Sequence, residues 1–114
     1  MTRKLLAMFV LLSSTAQGEN LIMSGDVTQL LIDSENYGHC MAAIAPYPSS
    51  QDARCGGRWV VFSCSGDFNS KSSGQSKYDT ALAAFVIGKP VSVVVDTDRK
   101  HNGYCFARQI KLVN

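Results

Sequence analysis

No apolar run in this 114-residue chain approaches the roughly 20 consecutive residues that a membrane-spanning helix needs; the longest, Leu5 to Leu12, is less than half of that. A membrane span is therefore not expected. An excess of one charge is also missing. Lys and Arg number 11 against 9 Asp and Glu, and two of those 11, Arg3 and Lys4, belong to a leader described below, so the remainder is formally neutral. Nucleic acid as a partner calls for a concentrated basic patch, which this balance argues against. Cysteine pairs at CxxC spacing are absent, which removes the usual zinc and thiol-oxidoreductase signatures. Histidine is scarce: His39 and His101 each lie near a turn glycine, and no neighbouring serine, cysteine and carboxylate complete a nucleophilic set. Asp96-Thr97-Asp98 opens like a calcium loop, but Lys100 stands at the third ligand position and Ala107 where a bidentate Glu is required. No catalytic residue, metal or cofactor is expected. Internal repeats and linkers are lacking too, so the chain reads as one domain.

What the chain does have begins with Met1-Thr2-Arg3-Lys4, the apolar run, and Ser13-Ser14-Thr15-Ala16-Gln17-Gly18. This is the pattern of a secretory signal peptide over residues 1–18, which leaves a domain over 19–114 that is secreted or periplasmic. All four cysteines, Cys40, Cys55, Cys64 and Cys105, lie beyond the leader, and an even count in an exported chain of this size reads as two disulfides with three possible pairings.

Strand signals fall at Val27–Asp33, at Cys40–Ile44 before Pro46 and Pro48, and at Trp59–Cys64 between glycines. Residues 65–76 are polar and read as a loop. A helix follows, with Ser76 as its cap, Asp79 answering it in a capping box, and Tyr78, Leu82, Phe85 and Val86 on one apolar face. Its other face carries Lys77, Thr80, Ala84 and Ile87. Gly88 and Pro90 stop the helix. Val91–Val95 is a buried strand, Asp96–Gly103 a polar turn ending in Asn102-Gly103, and Tyr104–Val113 the last strand, whose apolar face includes Tyr104, Phe106 and Ile110. The order β-β-β-α-β-β predicts a mainly β, disulfide-stabilised, OB-fold-like five-stranded barrel with one helix; an α+β sandwich is the alternative.

The stretch Ala81-Leu82-Ala83-Ala84-Phe85-Val86-Ile87-Gly88-Lys89-Pro90-Val91-Ser92-Val93-Val94-Val95 resembles the binding subunits of bacterial AB-type toxins, most closely the subtilase cytotoxin B subunits, with the pertussis-toxin B components more distant. Met23-Ser24-Gly25 before the first strand is similar as well. The resemblance implies an exported OB-fold domain that forms a homopentamer, binds a cell-surface glycan that can be sialylated, and serves a separate catalytic A subunit. It implies a ligand role for Ser24 and, beside it, Asn20; Glu19 and Asp26 are the acidic residues nearby. Cys40 and Cys64 match the spacing of a disulfide in such subunits, and this, with the adjacency of strands two and three, implies Cys40–Cys64 alongside Cys55–Cys105.

Further candidate glycan contacts come from the 65–76 stretch, chiefly Asn69, Ser70 and Lys71, with Trp59, Tyr37, Tyr47 or Tyr104 as stacking rings. The leading expectation is a non-catalytic, secreted carbohydrate-binding B-subunit-type protein. The alternative is a secreted or periplasmic inhibitor-like protein that blocks a partner enzyme with loop 65–76 or 96–103.

Overall fold

A computed structural model describes residues 20–46 and 52–114; the signal peptide expected over residues 1–18 and Tyr47 lie outside them. The strands are β1 (Asn20–Ile32), β2 (Cys40–Ala45), β3 (Trp59–Val61), β4 (Val91–His101) and β5 (Tyr104–Leu112). A one-turn helix α1 (Asp52–Cys55) precedes β3, and α2 (Lys71–Ile87) joins β3 to β4. The strands form a closed barrel in the order β1-β2-β3-β5-β4. All neighbours are antiparallel except β3 and β5, which meet in parallel at Val61 and Phe106. That connectivity, with a helix between strands three and four, is the OB-fold.

β1 starts at Asn20, seven residues before the strand expected at Val27, because it serves two neighbours. Asn20–Gly25 pair with β4 and Asp26–Ile32 pair with β2. Gly25 sits at the changeover with φ +152°, and a Cβ there would run into the carbonyl of Ala45 on β2. Glycine is required by that backbone approach.

Two extra residues decide which side chains reach the core. On β1, Val27 pairs with Ile44 and Gln29 with Ala43, so Thr28 is the odd residue and the inward series runs Met23, Val27, then Leu30. On β5, Val94 faces Gln109 and Val95 faces Ala107, so Arg108 is odd and the inward series runs Cys105, Ala107, then Ile110. A bulge of this kind flips the alternation. The single apolar face expected for the last strand is therefore split, with Ile110 inside and Phe106 and Tyr104 outside. The expected turn at 96–103 is likewise mostly strand. β4 runs to His101, bulges between Asp96 and Lys100, and turns only at Asn102 (φ 55°) and Gly103 (φ 89°), the paired positive φ values of a tight hairpin.

Inside, Met23, Ile44, Val60, Phe62, Val91, Val93 and Val95 fill the barrel, and α2 plugs it with Tyr78, Ala81 and Ala84. Phe62 meets Tyr78 edge-on at 6.4 Å between ring centres. Burial of each larger side chain contributes about 1.5–3 kcal/mol. Two disulfides fasten the barrel, Cys40–Cys64 and Cys55–Cys105, the pairing that the resemblance implies.

The helix corrects two expectations. It begins at Lys71, with Ser70 as N-cap accepting a hydrogen bond from the Ser73 N–H at 3.1 Å. Ser76 and Asp79 stand inside it, where the Ser76 carbonyl accepts from the Thr80 hydroxyl and the Asp79 carboxylate accepts from the Gln75 amide. Its buried face is Gly74, Tyr78, Ala81 and Ala84, while Leu82, Phe85, Val86 and Ile87 are 41, 47, 72 and 58 % exposed. At Gly74, α2 lies so close to the backbone of the segment after β3 that even a Cβ would meet it. At the other end the expectation holds: Gly88 is left-handed (φ 75°) and its N–H donates to the Ala84 carbonyl.

Candidate functional site

Alternation along β2 and β3 sends Ala42, Ile44, Val60 and Phe62 inward and leaves Met41, Trp59 and Val61 on the outer surface. β5 adds Tyr104 and Phe106 to that surface, and β1 adds Leu31. Met41, Val61 and Phe106 are nonetheless buried, because Tyr37, Trp59, Phe68 and Tyr104 lie over them as part-exposed rings. Phe68 stands 5.4 Å from Phe106 between ring centres, and Tyr37 stands 5.9 Å from Tyr104. The result is an aromatic shelf on the outside of the barrel.

Lys77 reaches the same shelf from α2. Its ammonium donates to Asn69 Oδ1 at 2.8 Å and to the Ala107 carbonyl at 3.0 Å, and lies 4.5 Å from the centre of the Phe106 ring. Burial lowers its pKa, and the nearby Arg108 charge adds to that. Lys77 thus faces β5 rather than solvent, contrary to the outward face expected for it.

Three connections converge at one end of the shelf: the β1–β2 turn at 33–39, the segment 62–70 and the 102–103 hairpin. The Tyr37 N–H donates to Asn102 Oδ1 at 3.1 Å, and the Ser65 N–H donates to the Gly38 carbonyl at 3.0 Å. Tyr37, His39, Ser63 and Asn102 all carry positive φ, a costly state for non-glycine residues that persists where surroundings hold it. His101 is the peg between them. Its ring lies 4.5 Å from that of Phe68, its Nε2 is 3.0 Å from Ser63 Oγ, and a Cβ on Gly38 would strike it. Its place beside a turn glycine suggests a surface histidine, yet the His101 side chain is only 13 % exposed.

Ser63, His101 and Asp67 stand together without the geometry of a nucleophilic triad. Ser63 is fully buried; its oxygen accepts the Phe68 N–H at 3.0 Å and lies 3.0 Å from His101 Nε2. Asp67 Oδ2 lies 3.9 Å from the same Nε2, whereas a triad carboxylate holds the opposite ring nitrogen. The set clasps two loops.

That clasp makes stability depend on pH. Burial holds the His101 pKa below its ordinary value, opposed in part by the Asp67 charge. The unfolded chain binds the proton at about pH 6.5, so the contribution is complete above that pH and is lost as pH falls toward the lower folded value. Urea midpoints measured between about pH 7 and pH 5 should therefore decline, and His101→Gln should flatten the slope in that window. An unchanged slope in the variant would assign the dependence to other groups.

The residues singled out from sequence occupy separate places. Asn20 and Ser24 lie on the outer side of β1, opposite Asp96 and Ser92 of β4. Asn20 Oδ1 accepts from Arg108 at 3.1 Å, while Ser24 is exposed. Asn69 is committed to the fold: its amide donates to the Phe62, Ser63 and Ser70 carbonyls and its oxygen accepts from Lys77. Ser70 is the helix cap, and Lys71 is exposed in the first turn. Among the described residues, no hydrogen bond or ring contact joins Asn20 and Ser24 to Asn69, Ser70 and Lys71. Trp59, Tyr37 and Tyr104 do come together, on the shelf. Phe68, Met41 and Phe106 were not anticipated there; the isolated Phe68 in a polar stretch was the available signal.

Among the described residues, no group of three or more His, Cys, Asp or Glu is placed to hold a metal ion, and no helix is long and apolar enough to cross a membrane. Comparison of the chain with protein-family models, with curated proteins and with solved structures finds no match.

Proposed function

We propose that this protein is a secreted, non-catalytic glycan-binding subunit of the AB-toxin type, which assembles as a ring and leaves any chemistry to a separate chain. The observation that carries the reading is the shelf of Tyr37, Trp59, Phe68 and Tyr104 over β2, β3 and β5. OB-folds take oligosaccharides or oligonucleotides on that face and its bordering loops. The near balance of charge favours the sugar, and flat rings suit the apolar face of a pyranose. Two disulfides accord with an oxidising compartment. The exposed Leu82, Phe85, Val86 and Ile87 on α2 support self-association.

Trp59 is the chain's single tryptophan, so its emission reports on the shelf directly. Titration of the oxidised protein with sialylated and neutral oligosaccharides chosen from a glycan array should shift that emission saturably. Tyr104→Ala should weaken binding about tenfold, equivalent to ~1.4 kcal/mol. Light scattering should give the mass of five chains. A silent array from folded, oxidised protein would remove the glycan reading, and a monomer would remove the ring.

A further inference from the structure

We propose that the cavity between the Asp33–His39 turn and α2 is a saccharide subsite that takes a neutral hexose through adjacent hydroxyls. It rests on the glycan-binding reading and adds to it a second contact of stated ligand class, apart from the aromatic shelf. The cavity has a volume of about 370 Å³ and is lined by Ile32, Asp33, Ser34, His39, Gln75 and the Cys40–Cys64 disulfide. That size lies in the lower part of the range of ~300–1,000 Å³ typical of small-ligand pockets.

The chemistry of the wall selects the ligand. Asp33 Oδ1 accepts the N–H groups of Glu35 at 2.8 Å and Asn36 at 3.0 Å, and the Asn36 side chain also bonds this carboxylate, whose roughly four lone-pair sites leave acceptor capacity for a ligand. The two backbone bonds, Glu35 first, hold the carboxyl below its usual range, so it is a carboxylate at neutral pH. Gln75 donates one amide N–H to Asp79 and keeps its carbonyl oxygen and its second N–H. The Ser34 hydroxyl and the His39 ring make no hydrogen bond among the described residues. The wall is thus rich in acceptors with groups that act either way, which suits a ligand with several O–H donors. A carboxylate-bearing sugar would be repelled by Asp33. An organic cation would find one exposed carboxylate and no tyrosine, phenylalanine or tryptophan face in the lining. Ile32, 65 % exposed at the rim, offers apolar surface for the C–H face of a pyranose.

The cup is also preorganised. The Asp33 N–H donates to the His39 carbonyl at 3.0 Å and the His39 N–H donates to Asn36 at 2.9 Å. The disulfide anchors Cys40, and His39 is held at φ 80°. A site built in advance loses little ordering free energy on binding.

The test is amide chemical-shift titration of the oxidised full domain with methyl β-D-galactopyranoside, methyl β-D-glucopyranoside and methyl α-D-mannopyranoside. The comparison ligands are a methyl sialoside and tetramethylammonium. At least one hexoside should move the Ser34, His39 and Gln75 amides saturably. Asp33→Asn, which keeps the oxygen that holds the turn, should weaken that binding about tenfold, and Gln75→Ala should weaken it several-fold. Absence of saturable shifts with all three hexosides would overturn the proposal. So would stronger binding of the sialoside or the ammonium ion, or shifts confined to Tyr37, Trp59 and Tyr104. Silent Trp59 emission with shifts at Ser34, His39 and Gln75 would instead overturn the shelf and keep the subsite.

Discussion

Replacing Cys55 and Cys105 together by alanine should lower the unfolding free energy by about 4 kcal/mol, the chain-entropy value for a loop of this length. The bridge spans 50 residues and the Cys40–Cys64 bridge spans 24, for which the same relation gives about 3.5 kcal/mol. The longer bridge has a second role. It ties α1, four residues long and too short to persist alone, to β5, where Cys105 is buried. Losing it removes buried sulfur from the core and frees the segment that leads into β3, which adds to the entropic cost. Small domains are stable by roughly 5–15 kcal/mol, so the double alanine variant should be marginal, with its melting temperature lower by roughly 20 °C. Urea unfolding of the oxidised protein and both double variants checks this. A loss below about 1 kcal/mol for the 55–105 pair would show that the residual chain already holds α1 in place.

Legibility in the sequence followed the range of the interaction that determines each feature. Gly88 and Pro90 marked the end of α2 correctly because a left-handed cap and a missing N–H are local facts. The start lies six residues before the expected one, with Ser70 rather than Ser76 as cap, because Ser72, Ser73 and Gly74 are poor helix formers and Gly74 is placed by close contact with the backbone after β3, a partner invisible in local propensity. Strand identities were readable, but Thr28 and Arg108 were not readable as bulges, and one odd residue reverses the inward and outward assignment of all that follows.

The candidate site was legible in part for the same reason. Trp59, Tyr37 and Tyr104 could be named as rings able to stack, since that is a property of the residue. Their convergence depends on the parallel meeting of β3 with β5 and on Asn102 reaching back to Tyr37, both of which are products of the closed barrel. Asn69 shows the converse. Its amide looked available in a polar stretch, and the fold uses every part of it to join the end of β3 to α2 and Lys77. Composition reveals which groups can bind; only the fold reveals which are already taken.

Gly74→Val should destabilise the domain by about 3 kcal/mol, the upper end of what overpacking costs. In an isolated helix, removing a glycine would help, since glycine is roughly 1 kcal/mol worse than alanine in a helix interior. Here a Cβ would lie 2.7 Å from the Ser63 carbonyl oxygen, 2.8 Å from that of Phe62 and 2.9 Å from Cys64 Cα. These are backbone atoms, and Cys64 is pinned by its disulfide to Cys40, so the strand side cannot yield cheaply. The helix must move outward. That movement would lift Tyr78 from Phe62 and draw Lys77 away from Asn69, the Ala107 carbonyl and the Phe106 ring, so the shelf should loosen along with the core. Gly74→Ala, with the same first clash and a partial gain in helix propensity, should fall between the wild type and the valine variant. Urea midpoints give the order, and Trp59 emission below the transition reads the shelf. A valine variant as stable as the wild type would show that α2 does not rest on the end of β3 through Gly74.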